Sequence, residues 1–396
     1  MEDIHIWDLP INKIYVRLDD IRYDLIKKSI DKSDKIIDTN YRRKAGKLVK
    51  ILNKYSSNYG VNKINSDRVI FQWRSGECFM PLWVLIEMSN LTNNSYFSLD
   101  NLEKRITHYK ARSGTYVIKS KFPFKINLEM VALYFHMFGD GCFSESNSTA
   151  SYCQLDIENK NKFIEKLKNS FGEFNSDKIR GSKYSLIFPS IFAFMLKKIF
   201  EVDTFYSNRG RIPDKIKKLP YLLKFSGVIA FLIDEGSIDD CIKFSSSNPL
   251  FLKDFKELLF DIGFESNIHN NILIIKNKHV KRFYESYLEL ISVSPCCNLN
   301  AKEYRLKLLY DVNKRGRGHN IEDLEVFKDD ILKILDGKKL RTSEIRRILF
   351  ENHTQSVSHN SLTKTLKIME SQGILIRKKE KSVNMWAIFN NGCYNF

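Results

Sequence analysis

The 396-residue sequence lacks the features that define several protein classes. Its seven cysteines are odd in number and include no Cys-x-x-Cys pair, which excludes a disulfide framework or a cysteine-based zinc site. We interpret them as free thiols of a reducing compartment. No apolar run reaches the length of about 18 residues that a membrane-spanning helix requires. Residues 1–5 are acidic and have no signal-peptide character, so we expect an intracellular protein, cytoplasmic or, in a eukaryote, in an organelle matrix.

Motifs for nucleotide cofactors are also absent. Neither a P-loop nor the glycine-rich fingerprint of dinucleotide-binding domains occurs, so we expect no nucleotide cofactor. The eight histidines show no His-x-x-x-His or similar spacing, which excludes a histidine-based metal motif. A metal site in this chain is therefore expected to use oxygen ligands, which select a hard ion.

Acidic residues are in deficit. Lys and Arg number 64 against 47 Asp and Glu, which gives a formal net charge of +17 and a pI near 9.3. This surplus favours a polyanionic partner, first of all nucleic acid. A cationic membrane-surface protein is the competing interpretation, weakened because no long amphipathic basic helix is evident. The apolar fraction of 43% indicates a globular chain, and the length predicts about two to four domains.

Residues 1–121 are predicted to form an N-terminal helical domain. Within it, residues 81–91 show an apolar helical pattern that opens with Pro, which is favoured in the first turn of a helix. Residues 93–95 supply a polar turn, and residues 99–109 predict a second, basic helix. Two short helices around such a turn suggest a helix-turn-helix over residues 79–112. An ordinary helical hairpin is the alternative.

An internal repeat occupies the middle of the chain. Each copy contains an apolar helix that ends in an acidic residue and Gly, an alternating stretch, a helix, a strand and a further helix. The predicted elements after the first apolar helix are 151–157, 159–171, 183–188 and 190–200, and those after the second are 237–245, 248–262, 272–276 and 277–291. The matching order predicts a pseudo-symmetric pair of α+β halves at 122–222 and 223–310.

Residues 311–320 are polar and contain glycine, which predicts a linker before a C-terminal domain at 321–396. Three helical patterns followed by two alternating stretches predict a winged helix. Its third helix, 358–371, is expected to enter a major groove of DNA, with the basic hairpin as the wing. A winged helix that binds protein is the alternative. The candidate DNA contacts of this domain are Asn360, Lys364, Lys367, Arg377 and Lys378.

Each apolar helix of the repeat ends in an acid directly before Gly, namely Asp140 in the first copy and Glu235 in the second. Gly ends a helix in the left-handed conformation, so the carboxylate projects from the last turn, beside partly negative carbonyl oxygens. If two such helices pack in parallel, the acids repel unless a divalent cation lies between them. Oxygen ligands favour Mg²⁺, with Mn²⁺ as the alternative. Such an ion can bind a scissile phosphate and activate water for in-line displacement.

The two acid-Gly segments and the residues around them resemble the motifs of a known protein family. Residues 133–141 (Leu-Tyr-Phe-His-Met-Phe-Gly-Asp-Gly) and 228–236 (Val-Ile-Ala-Phe-Leu-Ile-Asp-Glu-Gly) resemble the two copies of the LAGLIDADG motif of homing endonucleases. Residues 211–216 resemble the Ile-Pro segment that precedes the second motif helix in that family. The resemblance covers residues 122–309. It implies an α+β protein in which a pseudo-two-fold pair of αββαββα halves forms a monomeric DNA-binding saddle, flanked here by the N-terminal helical domain and the winged helix.

The resemblance also implies a set of site residues. They are Asp140 and Glu235 as catalytic metal ligands, Gly139 and Asp234 beside them in the metal site, and Arg211 (or Arg209) and Lys302 as basic catalytic residues. Helix-end acids that bind no metal are the alternative for Asp140 and Glu235. Asp234 is interpreted as a secondary or helix-end acid. The basic candidates follow from the family's habit of placing a cation near each metal site.

One feature departs from the family. Its members prefer small residues in the middle of each motif helix, whereas this chain has Tyr134 and Phe135 in the first copy. Small residues allow two helix backbones to approach closely. We therefore expect either that the helices cross farther apart or that Phe135 points away from their interface.

The predicted strands offer a polar face to a nucleic acid. Apolar and polar residues alternate in them, so that one face is buried and the other can contact base edges or phosphates. An ordinary half-solvated sheet would show the same alternation. The candidate DNA contacts on these strands are Gln154, Lys183, Ser185, Lys243 and Ser245.

The sequence thus predicts a monomeric, site-specific double-strand DNA endonuclease that hydrolyses phosphodiester bonds with a divalent metal. Its partner is duplex DNA, and no membrane partner is expected. Two other functions stay open: a transcription regulator that keeps the scaffold as a non-cleaving DNA clamp, and an intron RNA maturase.

Overall fold

The structure is a computed structural model and describes residues 3–33, 41–112, 114–144, 148–176, 180–205, 209–314, 328–353, 359–380 and 383–389. It is an α+β fold with several small antiparallel sheets, which confirms the fold class predicted from the sequence. The chain forms two compact units, one of Met1–Glu235, Ser245–Gly263 and Glu289–Asn298, the other of Gly236–Phe244, Phe264–Leu288 and Leu299–Phe396. In the described ranges, no helix combines the length and the apolar character needed to cross a membrane.

The N-terminal region alternates strands and helices. Its elements are β1 (Ile14–Leu18), α1 (Ile21–Ser33), α2 (Tyr41–Tyr55), α3 (Arg68–Ser75), β2 (Met80–Pro81), α4 (Leu82–Thr92), α5 (Leu99–Glu103), β3 (Ile106–Ala111) and β4 (Val117–Ile118). Helix α4 is the apolar helix predicted at residues 81–91, and Pro81 precedes its first turn. Strands β1 and β3 pair antiparallel, with Val16 opposite Tyr109, and both of these side chains are fully buried.

The predicted helix-turn-helix over residues 79–112 is wrong in its second helix. Helix α5 ends at Glu103, and residues 106–111 form strand β3. The segment Ile-Thr-His-Tyr-Lys-Ala begins with two β-branched residues, which favour strands, and β1 provides its hydrogen-bonding partner. Because β1 lies far away in the sequence, the local pattern could not reveal this pairing. The N-terminal region is therefore a mixed α and β region rather than a helical domain.

The first copy of the repeat begins with an apolar helix. Its elements are α6 (Leu128–Phe138), β5 (Gly141–Ser144), β6 (Thr149–Cys153), α7 (Ile157–Phe171), β7 (Glu173–Phe174), β8 (Arg180–Gly181), β9 (Ser185–Phe188) and α8 (Ser190–Phe200). Strand β7 joins the N-terminal sheet, where Phe174 pairs with Val117, and this sheet has the order β2-β1-β3-β4-β7. The remaining strands form a four-stranded sheet of order β5-β6-β9-β8.

The second copy follows the short helix α9 (Asp214–Lys217). Its elements are α10 (Tyr221–Glu235), β10 (Gly236–Ile238), β11 (Ile242–Ser245), α11 (Pro249–Asp261), β12 (Ser266–His269), β13 (Ile272–Ile275) and α12 (Val280–Val293). The sheet order β10-β11-β13-β12 repeats that of the first copy strand for strand. The internal repeat predicted from the sequence is therefore present in the order of both elements and strands.

Helices α6 and α10 pack against each other in the first unit. A Cβ at Gly227 of α10 would lie 2.3 Å from Cδ2 of Phe135 in α6, so the ring occupies the space that this glycine leaves. Phe135 is fully buried and also contacts the rings of Phe231 and Phe255. The expectation that Phe135 points away from the interface is therefore wrong. A glycine in the partner helix accommodates the ring instead.

The C-terminal part begins with a helix that enters the predicted linker. The elements are α13 (Ala301–Lys314), α14 (Lys328–Leu335), β14 (Leu340–Arg341), α15 (Thr342–His353), α16 (His359–Ser371), β15 (Leu375–Glu380) and β16 (Val383–Ile388). Residues 311–314 are helical because no Pro or Gly interrupts the chain before Gly316, and residues 315–320 lie outside the described residues. The sheet β14-β16-β15 and helices α14, α15 and α16 share a core that includes Trp386.

Candidate active site

The two apolar helices of the repeat end side by side. A Cβ at Gly139, directly after α6, would lie 2.8 Å from Cβ and 2.9 Å from Oδ2 of Asp234, near the end of α10. Gly141 is equally constrained, because a Cβ there would lie 2.3 Å from Cα of Met137. Side chains at these two positions would collide with the helices. The glycines therefore allow Asp140, which lies between them, to approach the end of the neighbouring helix. The expectation that the motif glycines end the helices in the left-handed conformation is wrong, because Gly141 and Gly236 begin strands β5 and β10 and neither has a positive φ.

One amide group connects the acids at the helix ends. Nε2 of Gln154 donates a hydrogen bond to Oδ2 of Asp140 at 2.6 Å and lies 3.4 Å from Oδ1 of Asp234. Gln154 directly follows β6, whose last residue, Cys153, donates its backbone N–H to the carbonyl oxygen of Asp140 at 2.8 Å. The end of the strand therefore holds the Gln154 amide beside both carboxylates.

Asp234 is a buried acid with donors of its own. Its side chain is fully buried and accepts a hydrogen bond from the hydroxyl of Tyr152 at 2.7 Å, while Nδ1 of His136 lies 2.9 Å from its other oxygen. Burial lowers the pKa of His136, and the Asp234 carboxylate opposes this shift. Burial raises the pKa of Tyr152, so the phenol keeps its proton and donates a hydrogen bond to Asp234. Hydrogen bonds thus fix Asp234 at the helix end.

The second acid of the predicted pair, Glu235, is the last residue of α10 and is half-buried. Its carbonyl oxygen accepts a hydrogen bond from the hydroxyl of Ser245 at 3.1 Å. Lys302, the basic residue predicted for this half, donates from Nζ to the carbonyl oxygen of Gly236 at 2.7 Å. Lys302 is therefore bound to the closing glycine of the second motif.

Arg211, the basic residue predicted for the first half, binds another acid. Its Nε and Nη2 lie 2.6 and 2.8 Å from the two carboxylate oxygens of Asp254 in α11. Burial would raise the pKa of Asp254, but hydrogen bonds from Arg211 and from the backbone of Ile212 outweigh burial and lower it. A buried carboxylate needs such a counter-charge. These contacts give no support to a role of Arg211 beside Asp140.

The first four-stranded sheet has one buried and one open face. The apolar residues Leu186 and Phe188 of β9 are buried, and Ser185 lies on the open face predicted for DNA contact. Lys183 is exposed but lies in the turn before β9, because the strand begins at residue 185 rather than 183. Gln154 is not on the open face, since β6 ends before it and its amide binds the acids.

The predicted alternation in β11 is confirmed. Its two apolar residues are fully buried, while Lys243 and Ser245 lie on the other face. Lys243 and Arg346 each place a nitrogen 3.2 Å from a carboxylate oxygen of Asp240. Burial would raise the pKa of Asp240, but these two cations outweigh burial and lower it to about 2. Lys243 therefore forms an ion pair within the protein.

The C-terminal helix and hairpin carry exposed cations. Four of the five predicted DNA contacts in this region are exposed, namely Lys364 and Lys367 on α16 and Arg377 and Lys378 on β15. Nε of Arg377 lies 3.2 Å from Oε1 of Glu370, so this cation is partly neutralised. The side chain of Asn360 lies outside the described residues.

The residues at the helix ends suit a hard divalent cation. Over the described part of the chain, no cluster of three or more His, Cys, Asp or Glu side chains has the geometry of a metal site. Mg²⁺, however, is commonly held by one or two carboxylates, with waters and substrate phosphates as its other ligands. Both oxygens of Asp234 already have hydrogen-bonding partners within the protein, whereas Asp140 and Glu235, at the ends of the two helices, are half-buried. Such an oxygen-only set fits Mg²⁺ or Mn²⁺.

Sequence reasoning missed the partners of the acids. Tyr152 lies in the predicted alternating stretch, but alternation alone does not show that its hydroxyl meets an acid from the other copy of the repeat. The sequence pattern assigns Gln154 to the DNA-facing strand surface. One sequence feature could have indicated a role at the site. Gln154 directly follows a strand, and that strand comes soon after the acid-Gly motif.

Comparison with known proteins adds no family assignment. No model of a known protein family matches the chain, and a search of curated proteins finds no relative. The function is therefore inferred from the site geometry and the sequence motifs.

Proposed function

We propose that this protein is a site-specific double-strand DNA endonuclease of the LAGLIDADG type, which hydrolyses phosphodiester bonds with a divalent metal. The observation that carries the proposal is the junction of the two repeated helices. There Gly139 contacts Asp234, and one amide reaches both Asp140 and Asp234. Two acids at a helix junction repel each other, so their placement there favours a bound cation.

The internal repeat supports the same proposal at the level of the fold. Apart from β7, which joins the N-terminal sheet, each copy places a helix, two strands, a helix, two strands and a helix around a four-stranded sheet of identical order. Both motif acids belong to one chain, so a monomer suffices. We infer that the two sheets form the DNA-binding saddle that the motif resemblance implies. The C-terminal helices and hairpin would then act as a winged helix that lengthens the recognised site.

Asp140 and Glu235 would hold the metal in this enzyme. When bound, a divalent ion supplies positive charge to the scissile phosphodiester and assists the attack of water. Gln154 orients the Asp140 carboxylate through one of its oxygens. Tyr152 and His136 hold Asp234 in a fixed position, which keeps the neighbouring helix end in place. Lys302 fixes the backbone carbonyl of Gly236, the closing residue of the second motif.

The test compares charge-removing variants of the two motif acids. Asp140→Asn and Glu235→Gln keep the size of the side chains but remove one negative charge each. Each should abolish Mg²⁺-dependent cleavage of a duplex selected from a randomised library, while DNA binding is retained. Glu201→Gln, which neutralises an exposed acid at the end of α8, is the matched control and should cleave normally. Undiminished cleavage by either motif variant would refute the proposal.

A second candidate is a transcription regulator that binds DNA without cutting it. The exposed cations of α16 and β15 favour this function, because they can contact DNA phosphates. Such binding needs no catalytic acids. It predicts metal-independent binding to a promoter sequence. Cleavage of the selected duplex at any Mg²⁺ or Mn²⁺ concentration would exclude it.

A further inference from the structure

The N-terminal sheet has a face that the proposed cleavage chemistry does not use. One face of its central strands β1 and β3 is fully buried. On the opposite face, Tyr15 pairs with Lys110 and Arg17 pairs with His108. Because paired residues of antiparallel strands point to the same side of a sheet, these four side chains share one surface. All four are half-buried.

Two further rings lie on this surface. The ring centres of Phe79 and Tyr116 are 5.9 Å apart, and those of Tyr116 and His108 are 5.2 Å apart. The guanidinium carbon of Arg17 lies 4.5 Å and Nζ of Lys110 lies 4.8 Å from the ring centre of Phe79. We call Arg17, Phe79, His108, Lys110 and Tyr116 the aromatic–basic patch.

The aromatic–basic patch differs from an aromatic core cluster. Tyr116 is 41% exposed, and the other members are only partly buried. Burial, together with the charge of Arg17, lowers the pKa of His108, so its ring is neutral near pH 7. Arg17 and Lys110 lie over the ring of Phe79, so the exposed ring of Tyr116 is the one that the patch offers for stacking, with the two cations near it.

This combination matches the chemistry of an unpaired nucleotide strand. Aromatic side chains stack on exposed bases, while Arg and Lys neutralise the phosphates between them. In a DNA duplex the bases are stacked on one another inside the helix, so the rings of the patch would find no base to stack on. RNA presents unpaired bases in its loops and single-stranded segments, and sheets with surface aromatics are one way in which proteins bind them.

We propose that the aromatic–basic patch binds single-stranded RNA, with a base stacked on Tyr116 and phosphates bound by Arg17 and Lys110. The patch lies on strands outside the two motif helices, so this binding does not depend on the proposed endonuclease activity. Stacking tolerates every base, and the patch is therefore expected to bind RNA with little sequence preference.

The test is equilibrium binding of the full-length protein to a fluorescent, unstructured RNA oligonucleotide. Tyr116→Leu and Lys110→Gln should each weaken binding about tenfold, which corresponds to roughly 1.4 kcal/mol. Lys110→Gln should also reduce the slope of log affinity against log salt by about 0.7, the value for one phosphate of a single strand. Phe260→Leu and Lys104→Gln are the controls. They remove an exposed ring and an exposed cation elsewhere and should leave RNA binding unchanged.

Cross-linking locates the bound strand without any substitution. RNA that carries 5-iodouracil should cross-link to Tyr116 of the unaltered protein on irradiation, as identified by mass spectrometry. Cross-links confined to residues outside the patch, or unchanged affinity in both patch variants, would overturn the proposal. Tighter binding of the paired RNA duplex, or of a DNA strand with the same sequence, would also overturn it. Cleavage assays on Tyr116→Leu distinguish the two proposals, because duplex cleavage should stay intact when RNA binding is lost.

Discussion

Individual hydrogen-bond donors determine how two neighbouring acids can coexist at the helix ends. Asp140 receives the Gln154 amide, and Asp234 receives the Tyr152 hydroxyl and faces Nδ1 of His136. Adjacent carboxylates repel each other, and donors of this kind offset the repulsion. Asp140 and Asp234 thus differ in environment: Asp140 is half-buried at the mouth of the site, whereas the Asp234 side chain is fully buried.

Removing one donor from Asp234 should destabilise the protein. Tyr152→Phe is expected to lower the free energy of unfolding by roughly 1–3 kcal/mol, because it deprives a buried carboxylate of a hydrogen bond. The substitution keeps the stacking of this ring on Phe163, whose centre lies 4.3 Å away. Urea denaturation measures the difference. Tyr184→Phe, at a side chain that is 63% exposed, is the matched control. Equal stability of the two variants would show that Asp234 does not depend on the hydroxyl.

Among the elements, the packed helices α6 and α10 position Asp140 and Asp234. The two helices can approach because the Phe135 ring of α6 packs against Gly227 of α10. Phe135 fills the space beside Gly227. In LAGLIDADG proteins, small residues in the motif helices allow the two backbones to approach at this point. The bulky residue is therefore compensated in the partner helix. Because the helices remain close at their ends, Gly139 can contact Asp234.

The Phe135–Gly227 contact predicts a specific stability loss. Gly227→Ala should reduce the free energy of unfolding by roughly 1–3 kcal/mol, because its methyl group would overlap the buried Phe135 ring. Gly46→Ala, in α2, is the control, since no heavy atom lies within 4 Å of a Cβ at that position. There Ala should stabilise the helix by up to about 1 kcal/mol. Stabilisation by both substitutions in thermal unfolding would contradict the close approach of α6 and α10.

Elements with a local signal could be predicted from the sequence, and elements defined by distant partners could not. Helix α4 begins after Pro81, and α16 ends before Gly373, which has the left-handed φ of +69° expected of a helix-ending glycine. The sequence pattern predicts a helix where strand β3 lies, because the partner strand β1 is far away in the sequence. The predicted position of Gln154 is wrong for a related reason: alternation assigns faces within a strand, but it does not show where the strand ends.

For the molecule as a whole, the surplus of positive charge is partly used inside the protein. In the second unit, Lys243 and Arg346 pair with Asp240, although both would be suited to phosphate contacts. The net charge therefore predicts a polyanionic partner, but only the structure shows which cations already form ion pairs within the protein.

This pairing predicts a dependence of stability on pH. The pKa of Asp240 is lowered from 3.8 to about 2 in the folded protein. The ion pairs of Asp240 therefore stabilise the folded state above about pH 4, and this contribution is lost as the pH falls toward about 2. Asp240→Asn should flatten that part of the stability profile in urea denaturation. Asp336→Asn, at an exposed acid, is the control and should keep the profile of the parent protein. Identical profiles for the two variants would contradict the role of Asp240.

The central claim is that acids from two copies of a repeat bind a divalent ion against a DNA strand. Its most direct test is anomalous diffraction from crystals of the full-length protein with Mn²⁺ and its selected duplex. We predict anomalous density between the carboxylates of Asp140 and Glu235, and none in the variant with both Asp140→Asn and Glu235→Gln. Density elsewhere, with these two carboxylates directed to opposite sides of the protein, would contradict the claim.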